Sequence, residues 1–182
     1  MRWTDELKHA MKLTVTVLIF AGATLAQEPV IREIIISIPD RKLALLENGQ
    51  VTHIFPIAVG KGTTPSPAGE FQIVNRITDP GWWGDGKAVP AGPKNPLGNR
   101  WMGLNQAGFG IHGTNVQSSV GKAASHGCFR MKKADVEELF NLVRVGDAVH
   151  VIGERNDLIA RIFSTEVQVA SAATVETAGA GN

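Results

Sequence analysis

The 182-residue chain has one cysteine, Cys128, within the stretch GIHGTNVQSSVGKAASHGCFRM, residues 110–131. His112 lies upstream of it, His126 two residues before it and Arg130 two after. A thiol near imidazoles suggests nucleophilic chemistry. Thiolate is the reactive form, and an ordinary cysteine with a pKa of about 8.5 is mostly protonated at neutral pH. A neighbouring imidazole either accepts the proton or holds the pair as thiolate and imidazolium. His112 is the better candidate base, because it follows the strand-like Phe109-Gly110-Ile111 and is followed by Gly113. No Asp or Glu lies near it in sequence, so a backbone carbonyl is the expected partner for its other ring nitrogen.

Gly127 permits a tight turn before the nucleophile. The backbone N–H groups of Gly127 and Cys128 are candidate donors to an oxyanion, each worth ~3 kcal/mol where such donors have been removed. Ser125 and Gly127 belong to the same turn, which His126 is expected to hold by packing or hydrogen bonding. Arg130 offers a permanent planar cation for a carboxylate. Two other readings compete. His112, His126 and Cys128 are all good zinc ligands, yet a structural zinc site generally wants four and no fourth is evident. Cys128 as a buried apolar filler is the other reading, and its polar, glycine-rich setting argues against it. His53 and His150 fall in strand-like runs and read as ordinary strand residues.

These residues need a scaffold, and the pattern from Val30 onward is that of β structure. IREIIISIP is rich in β-branched residues, and KLALLE follows a Pro-Asp turn. ENGQ supplies an Asn-Gly hairpin signal before VTHIFPIAVG. EFQIVNRI, WMGLN, FGIHG and AVHVIGE read as further strands. Apolar residues at 136, 139, 140 and 143 have helical spacing, which predicts a helix over Ala134–Val143, closed near Gly146. Residues 80–101 are dense in Gly, Pro and Trp, too long for an ordinary connection. Trp82, Trp83 and Trp101 make this segment either an ordered lid or groove wall, or a plug at the core edge. The fold expected is a mainly β domain over 30–153 with one or two short helices, followed by a loose tail over 164–182 rich in Ala, Thr, Gly and Val.

At the amino end, Arg2, Lys8 and Lys12 precede an apolar run from Leu13 to about Ala26. That order is the layout of a secretory signal peptide over residues 1–26. The run falls short of the ~20 residues of a spanning helix, and an uncleaved anchor is the alternative. The net charge is +1, and removal of residues 1–26 leaves the chain formally neutral. No basic stripe is present, so nucleic acid is not an expected partner. A lone cysteine in an exported protein cannot close an internal disulfide, which points to use of the thiol.

IHGTN followed by SHGCFRM resembles the signature of the L,D-transpeptidases with a YkuD-type catalytic domain. TPSPAGEFQI, VPAGPKNPLGNRWMGL and ADVEELFNLV resemble members of the same group, so the likeness spans Ile31–Ile152. The resemblance implies a β-sandwich-like fold and a cell-envelope, periplasmic setting. It implies that Cys128 attacks the peptidoglycan tetrapeptide stem, releases D-Ala and passes the thioester-bound stem to an amine. It further implies His112 as base, with its ring oriented by the carbonyl of Gly113, and a turn and oxyanion site shaped by Ser125, His126 and Gly127. Arg130 stands where many relatives have Asn and others Arg, and with Trp82 and Trp83 it is an expected substrate contact. No metal or organic cofactor is implied. The acceptor is left open among another stem peptide, a lipoprotein lysine, a free D-amino acid and water, and so is the oligomeric state. Hydrolysis by water would make the chain an L,D-carboxypeptidase. A non-catalytic wall-binding module using Trp82 and Trp83 as a platform is the remaining alternative, and thiol reactivity separates it from the enzymes.

Overall fold

The computed structural model describes residues 29–84 and 86–164. The expected signal peptide, and the expected tail beyond residue 164, lie outside the described residues. Twelve strands and two α-helices are found in the described part. The strands β1 (Arg32–Ser37), β2 (Lys42–Glu47) and β3 (Gln50–Pro56) form an antiparallel meander. Asn48 and Gly49 turn its second hairpin with φ of 51° and 77°. Positive φ at both central residues is what a type I′ turn demands, and Asn-Gly meets that demand.

Ile34–Ile36 of β1 and Leu43–Leu46 of β2 are unbroken apolar runs because both faces are covered. Ile34, Ile36, Leu43 and Leu45 enter the main core. Ile35, Ala44 and Leu46 pack instead against Ile159, Ile162 and Phe163. These last three belong to a helix, α2 (Asp157–Ser164), that the strand-and-tail reading left unassigned. The packed unit therefore continues past the expected boundary at 153, to Phe163.

The remaining strands are β4 (Val59–Gly60), β5 (Gly69–Thr78), β6 (Trp82–Gly84), β7 (Lys87–Val89), β8 (Arg100–Leu104), β9 (Gly110–His112), β10 (Ala123–Ser125), β11 (Phe129–Arg130) and β12 (Ala148–Ile152). Eight strands form one mixed sheet in the order β11-β9-β8-β5-β12-β1-β2-β3, and the pairs β10-β4 and β6-β7 stand apart. One apolar cluster runs from Leu43 and Leu45 of β2 to Phe129 beside β9, with α1 (Lys133–Leu142) contributing Val136 and Leu139. The sheet thus curls round this main core, and the architecture is mainly β, as the sequence pattern predicts. Helix α1 occupies Lys133–Leu142 where the spacing predicts Ala134–Val143, a shift of one residue at each end.

Candidate active site

The two halves of the His/Cys constellation meet through a short parallel ladder. β9 pairs with β11 so that Ile111 is opposite Phe129 and His112 is opposite Arg130. Ile111 and Phe129 are fully buried in the core. Side chains alternate along a strand, so Gly110 and His112 on one strand face the same side as Arg130 on the other. The Met131 N–H donates to the His112 carbonyl (2.8 Å), and Arg130 exchanges backbone bonds with Ala58 (2.8 and 3.0 Å). The apolar Phe129 between Cys128 and Arg130 is therefore the anchor that turns both neighbours away from the core.

The turn before Cys128 is held from two directions. The Ser125 hydroxyl donates to the Cys128 carbonyl (2.6 Å) and accepts from the Gly127 N–H (3.0 Å). The Ser66 hydroxyl donates to the Gly127 carbonyl (2.8 Å) and accepts from the Gly60 N–H (2.8 Å). Gly127 has φ of 117°, and a Cβ there would lie 2.6 Å from the Phe109 ring. His126 is exposed and lines the cleft beside Cys128; the hydrogen bonds of this turn come from Ser125 and Ser66 instead. The Gly127 N–H, one of two donors expected to face an oxyanion, points to the Ser125 hydroxyl.

His112 is buried, and its Nδ1 lies 2.6 Å from the Gly113 carbonyl. A carbonyl only accepts, so Nδ1 carries the proton and Nε2 keeps its lone pair. Trp101, opposite His112 on β8, stacks on the imidazole with centroids 5.6 Å apart and planes at 26°. The indole lies over Gly103 and Gly110, which are in register; a Cβ on Gly110 would fall 2.7 Å from it. The Trp101 Nε1–H donates to Asn75 Oδ1 (3.0 Å).

Burial pushes the His112 pKa down from 6.5 to about 4, against the pull of the Gly113 carbonyl and with help from the Arg130 charge. Burial pushes the Cys128 thiol up, while the Gly110 backbone and Arg130 act in the opposite sense. The thiol lies 3.4 Å from the Gly108 carbonyl. Both shifts favour the uncharged forms, thiol and imidazole. Among the described residues, no group of three or more His, Cys, Asp or Glu side chains is arranged to hold a metal ion.

Two clefts meet at Cys128. One, of about 550 Å³, includes His112, His126 and Arg130 in its lining. The other, of about 320 Å³, is walled by Trp82, Trp83 and Trp101. They share Trp82, Leu97, Gly108 and Cys128. Trp82 and Trp83 lie on the β6–β7 hairpin, where Trp83 is 76% exposed and Trp82 half-buried. Fully buried Asn95 ties the hairpin down, with Nδ2 donating to the carbonyls of Pro80 (2.8 Å), Val89 (3.2 Å) and Pro90 (3.1 Å). Its Oδ1 accepts from the Leu97 N–H (2.8 Å). The described residues of the 80–101 segment therefore form a wall of the two clefts.

Residues 31–151 match the YkuD family, the L,D-transpeptidase catalytic domain. The chain belongs to this family. It is 42% identical over 118 residues to proteins named L,D-transpeptidase YkuD in Bacillus licheniformis and Bacillus subtilis. Each match covers 65% of this chain and 64% of the relative. The solution structure of the catalytic domain from an E. faecium L,D-transpeptidase superposes with a TM-score of 0.56 at 30% identity. That superposition covers 66% of this chain and 96% of the other.

Two residues around this transpeptidase-family site carried no legible role in the sequence, and a third showed only part of its role. Ser66 sits between prolines in a loop, and nothing local points to a carbonyl 61 residues away. Asn95 reads as one more turn residue. Trp101 was legible as groove wall, but its stacking on His112 depends on the β8–β9 register.

Proposed function

We propose that the chain is a cysteine acyltransferase of the bacterial cell envelope, an L,D-transpeptidase acting on peptidoglycan tetrapeptide stems. The observation that carries this reading is the junction of two clefts at one thiol, one of them also lined by a buried imidazole whose Nδ1 is held by the Gly113 carbonyl. A donor stem lies in the cleft that holds Arg130, with a stem carboxylate against the guanidinium. Cys128 Sγ attacks the carbonyl before the terminal D-Ala as Nε2 of His112 takes the thiol proton. The Cys128 N–H is the remaining backbone donor for the oxyanion, since the Gly127 N–H is committed to Ser125.

The tetrahedral intermediate collapses as His112 returns the proton to the departing D-Ala amine, leaving a thioester on Cys128. An acceptor amine then approaches from the tryptophan-walled cleft, loses its proton to His112 and attacks the thioester carbonyl. The C–S bond breaks, the new amide forms and His112 returns the proton to Cys128 Sγ. Gly113 is the positioning group that fixes the His112 tautomer through its carbonyl. Trp82 and Trp83 contact the acceptor. A separate aromatic cleft at the thioester favours an amine on a peptide, or on a lipoprotein, over water. Export to the periplasm or envelope accompanies this function.

The test is the intact mass of the protein mixed with a tetrapeptide muropeptide, beside the Cys128→Ala variant. An increase equal to donor minus D-Ala, absent in the variant, is the expected result. Folded protein that yields neither adduct nor released D-Ala would sink the proposal and leave a wall-binding module as the better reading. Simple alkylation is a poor discriminator, because burial raises the thiol and slows generic reagents at neutral pH.

A further inference from the structure

We propose that Asn75 is a positioning residue for the His112 base, acting through the Trp101 indole. Its catalytic consequence rests on the function proposed above, whereas its effect on the imidazole does not. Asn75 lies on β5 and His112 on β9, with β8, the strand of Trp101, between them.

An irregularity in β5 aims Asn75 at the indole. Ile73 is a core residue opposite Leu104, and regular alternation would turn Asn75, two residues on, to the same core side. The ladder instead shifts register between Ile73 and Asn75. β5 advances two residues there while β8 advances one, from Leu104 to Gly103. Val74 is the extra residue of a β-bulge, a device that re-aims the side chains beyond it. After the bulge, Arg76 and buried Met102 share the inner face, while the pairs Asn75–Gly103 and Ile77–Trp101 share the outer one. That outer face is the cleft side, since Ile77 and Trp101 both line the tryptophan-walled cleft.

Two glycines make room for the contact. A Cβ on Gly103 would lie 2.6 Å from Asn75 Oδ1 and 2.9 Å from Trp101 Nε1. One on Gly110 would lie 2.7 Å from the other end of the indole. The ring therefore extends from β8 over β9 and rests on the His112 imidazole. A glycine floor supplies no side-chain wall to fix the ring's orientation. Asn75 supplies the stop: an indole N–H only donates, and the amide oxygen accepts it at 3.0 Å. The indole then covers one face of an imidazole whose edge is held by the Gly113 carbonyl, and so adds to the burial that disfavours its charged form. Asn75 is exposed and uncharged, so it acts on the base through the ring rather than by a field of its own. Arg130, on β11, is the charge that acts on His112, and Cys128 and His126 are the other titratable side chains lining that cleft. Arg100, next to Trp101 on β8, is turned the other way, with its guanidinium 5.3 Å from the centre of the Phe140 ring.

The experiment is a double-mutant cycle of Asn75→Leu and Trp101→Phe in the full chain, read by NMR titration of His112. The His112 signals are identified by their loss in His112→Gln. Leucine keeps the branched shape without the acceptor, and phenylalanine keeps an aromatic ring without the N–H. Asn75→Leu alone should raise the proton affinity of His112 roughly three- to tenfold, the value of one hydrogen bond. In the Trp101→Phe background it should add little, because the bond it removes is already absent. With a tetrapeptide muropeptide, Asn75→Leu should slow acyl-adduct formation by a similar factor and leave donor KM unchanged. The acid limb of the rate should move to higher pH, since the neutral imidazole is the form that accepts the thiol proton. An unchanged His112 titration, an adduct rate equal to that of the unsubstituted protein, or effects of the two substitutions that simply add overturns the proposal. If the unsubstituted protein forms no adduct, the transferase reading falls, and the titration and the cycle still decide whether Asn75 positions the imidazole.

Discussion

Arg130 stands directly opposite His112 in the parallel β9–β11 ladder. The guanidinium's charge holds down both the His112 imidazole and the Cys128 thiol, opposing burial at the thiol and adding to it at the imidazole. A permanent cation in the same cleft as His112 and Cys128 suits a carboxylate-bearing donor. Arg130→Ala should raise the donor KM roughly 10- to 100-fold, the value of a charge-assisted hydrogen bond, with a smaller change in kcat. Steady-state kinetics with donor varied at fixed acceptor checks it; an unchanged KM removes Arg130 from donor binding.

The buried neutral imidazole has a signature in stability. His112 has a folded pKa of about 4 against an ordinary value of 6.5, so the unfolded chain binds the extra proton between these limits. Stability therefore rises with pH across that window, is fully present above about 6.5 and is lost as pH falls toward 4. The span corresponds to about 3 kcal/mol. Urea unfolding from pH 4 to 7 should show the slope, and His112→Gln should flatten it.

Ser66→Ala leaves the Gly127 carbonyl and the Gly60 N–H without their shared hydroxyl. A loss of about 1–3 kcal/mol is expected from those unpaired groups. If the hydroxyl also holds the nucleophile's turn, kcat should fall while donor KM stays near its original value. A stability loss without any change in kcat would restrict Ser66 to a structural role.

Gly127→Ala faces two separate penalties, a φ of 117° and a Cβ 2.6 Å from the Phe109 ring. About 2–3 kcal/mol of destabilisation is expected. Adding Phe109→Ala should relieve only the steric part, since the backbone conformation is unchanged. Thermal melts of the single and double variants separate the two.

The thiol should titrate above its ordinary range, because burial is the largest influence on it. The rate of iodoacetamide modification at Cys128 should climb through pH 9 rather than level off near neutrality. A plateau by pH 7 would instead indicate a resting thiolate–imidazolium pair.

The sequence by itself determined the main strands, helix α1 and the candidate reactive residues. Val/Ile/Leu runs, the Asn48-Gly49 turn and the 136, 139, 140, 143 spacing are local signals, and each names its element without reference to the rest of the chain. The Cys128/His112 pair was legible for the same reason, being chemistry written in residue types. What those signals lacked was register. Whether Ile111 or His112 faces the core depends on pairing with Phe129, and a one-residue slip would exchange them. Only the curled sheet brought Ser66 to Gly127, laid Trp101 on His112 and made Asn95 the clip under the tryptophan hairpin. The same assembly set Asn75 against the Trp101 indole. Ser66 and Gly127 are 61 residues apart, and the other contacts depend on strand register or loop conformation, so neither composition nor spacing could have shown them.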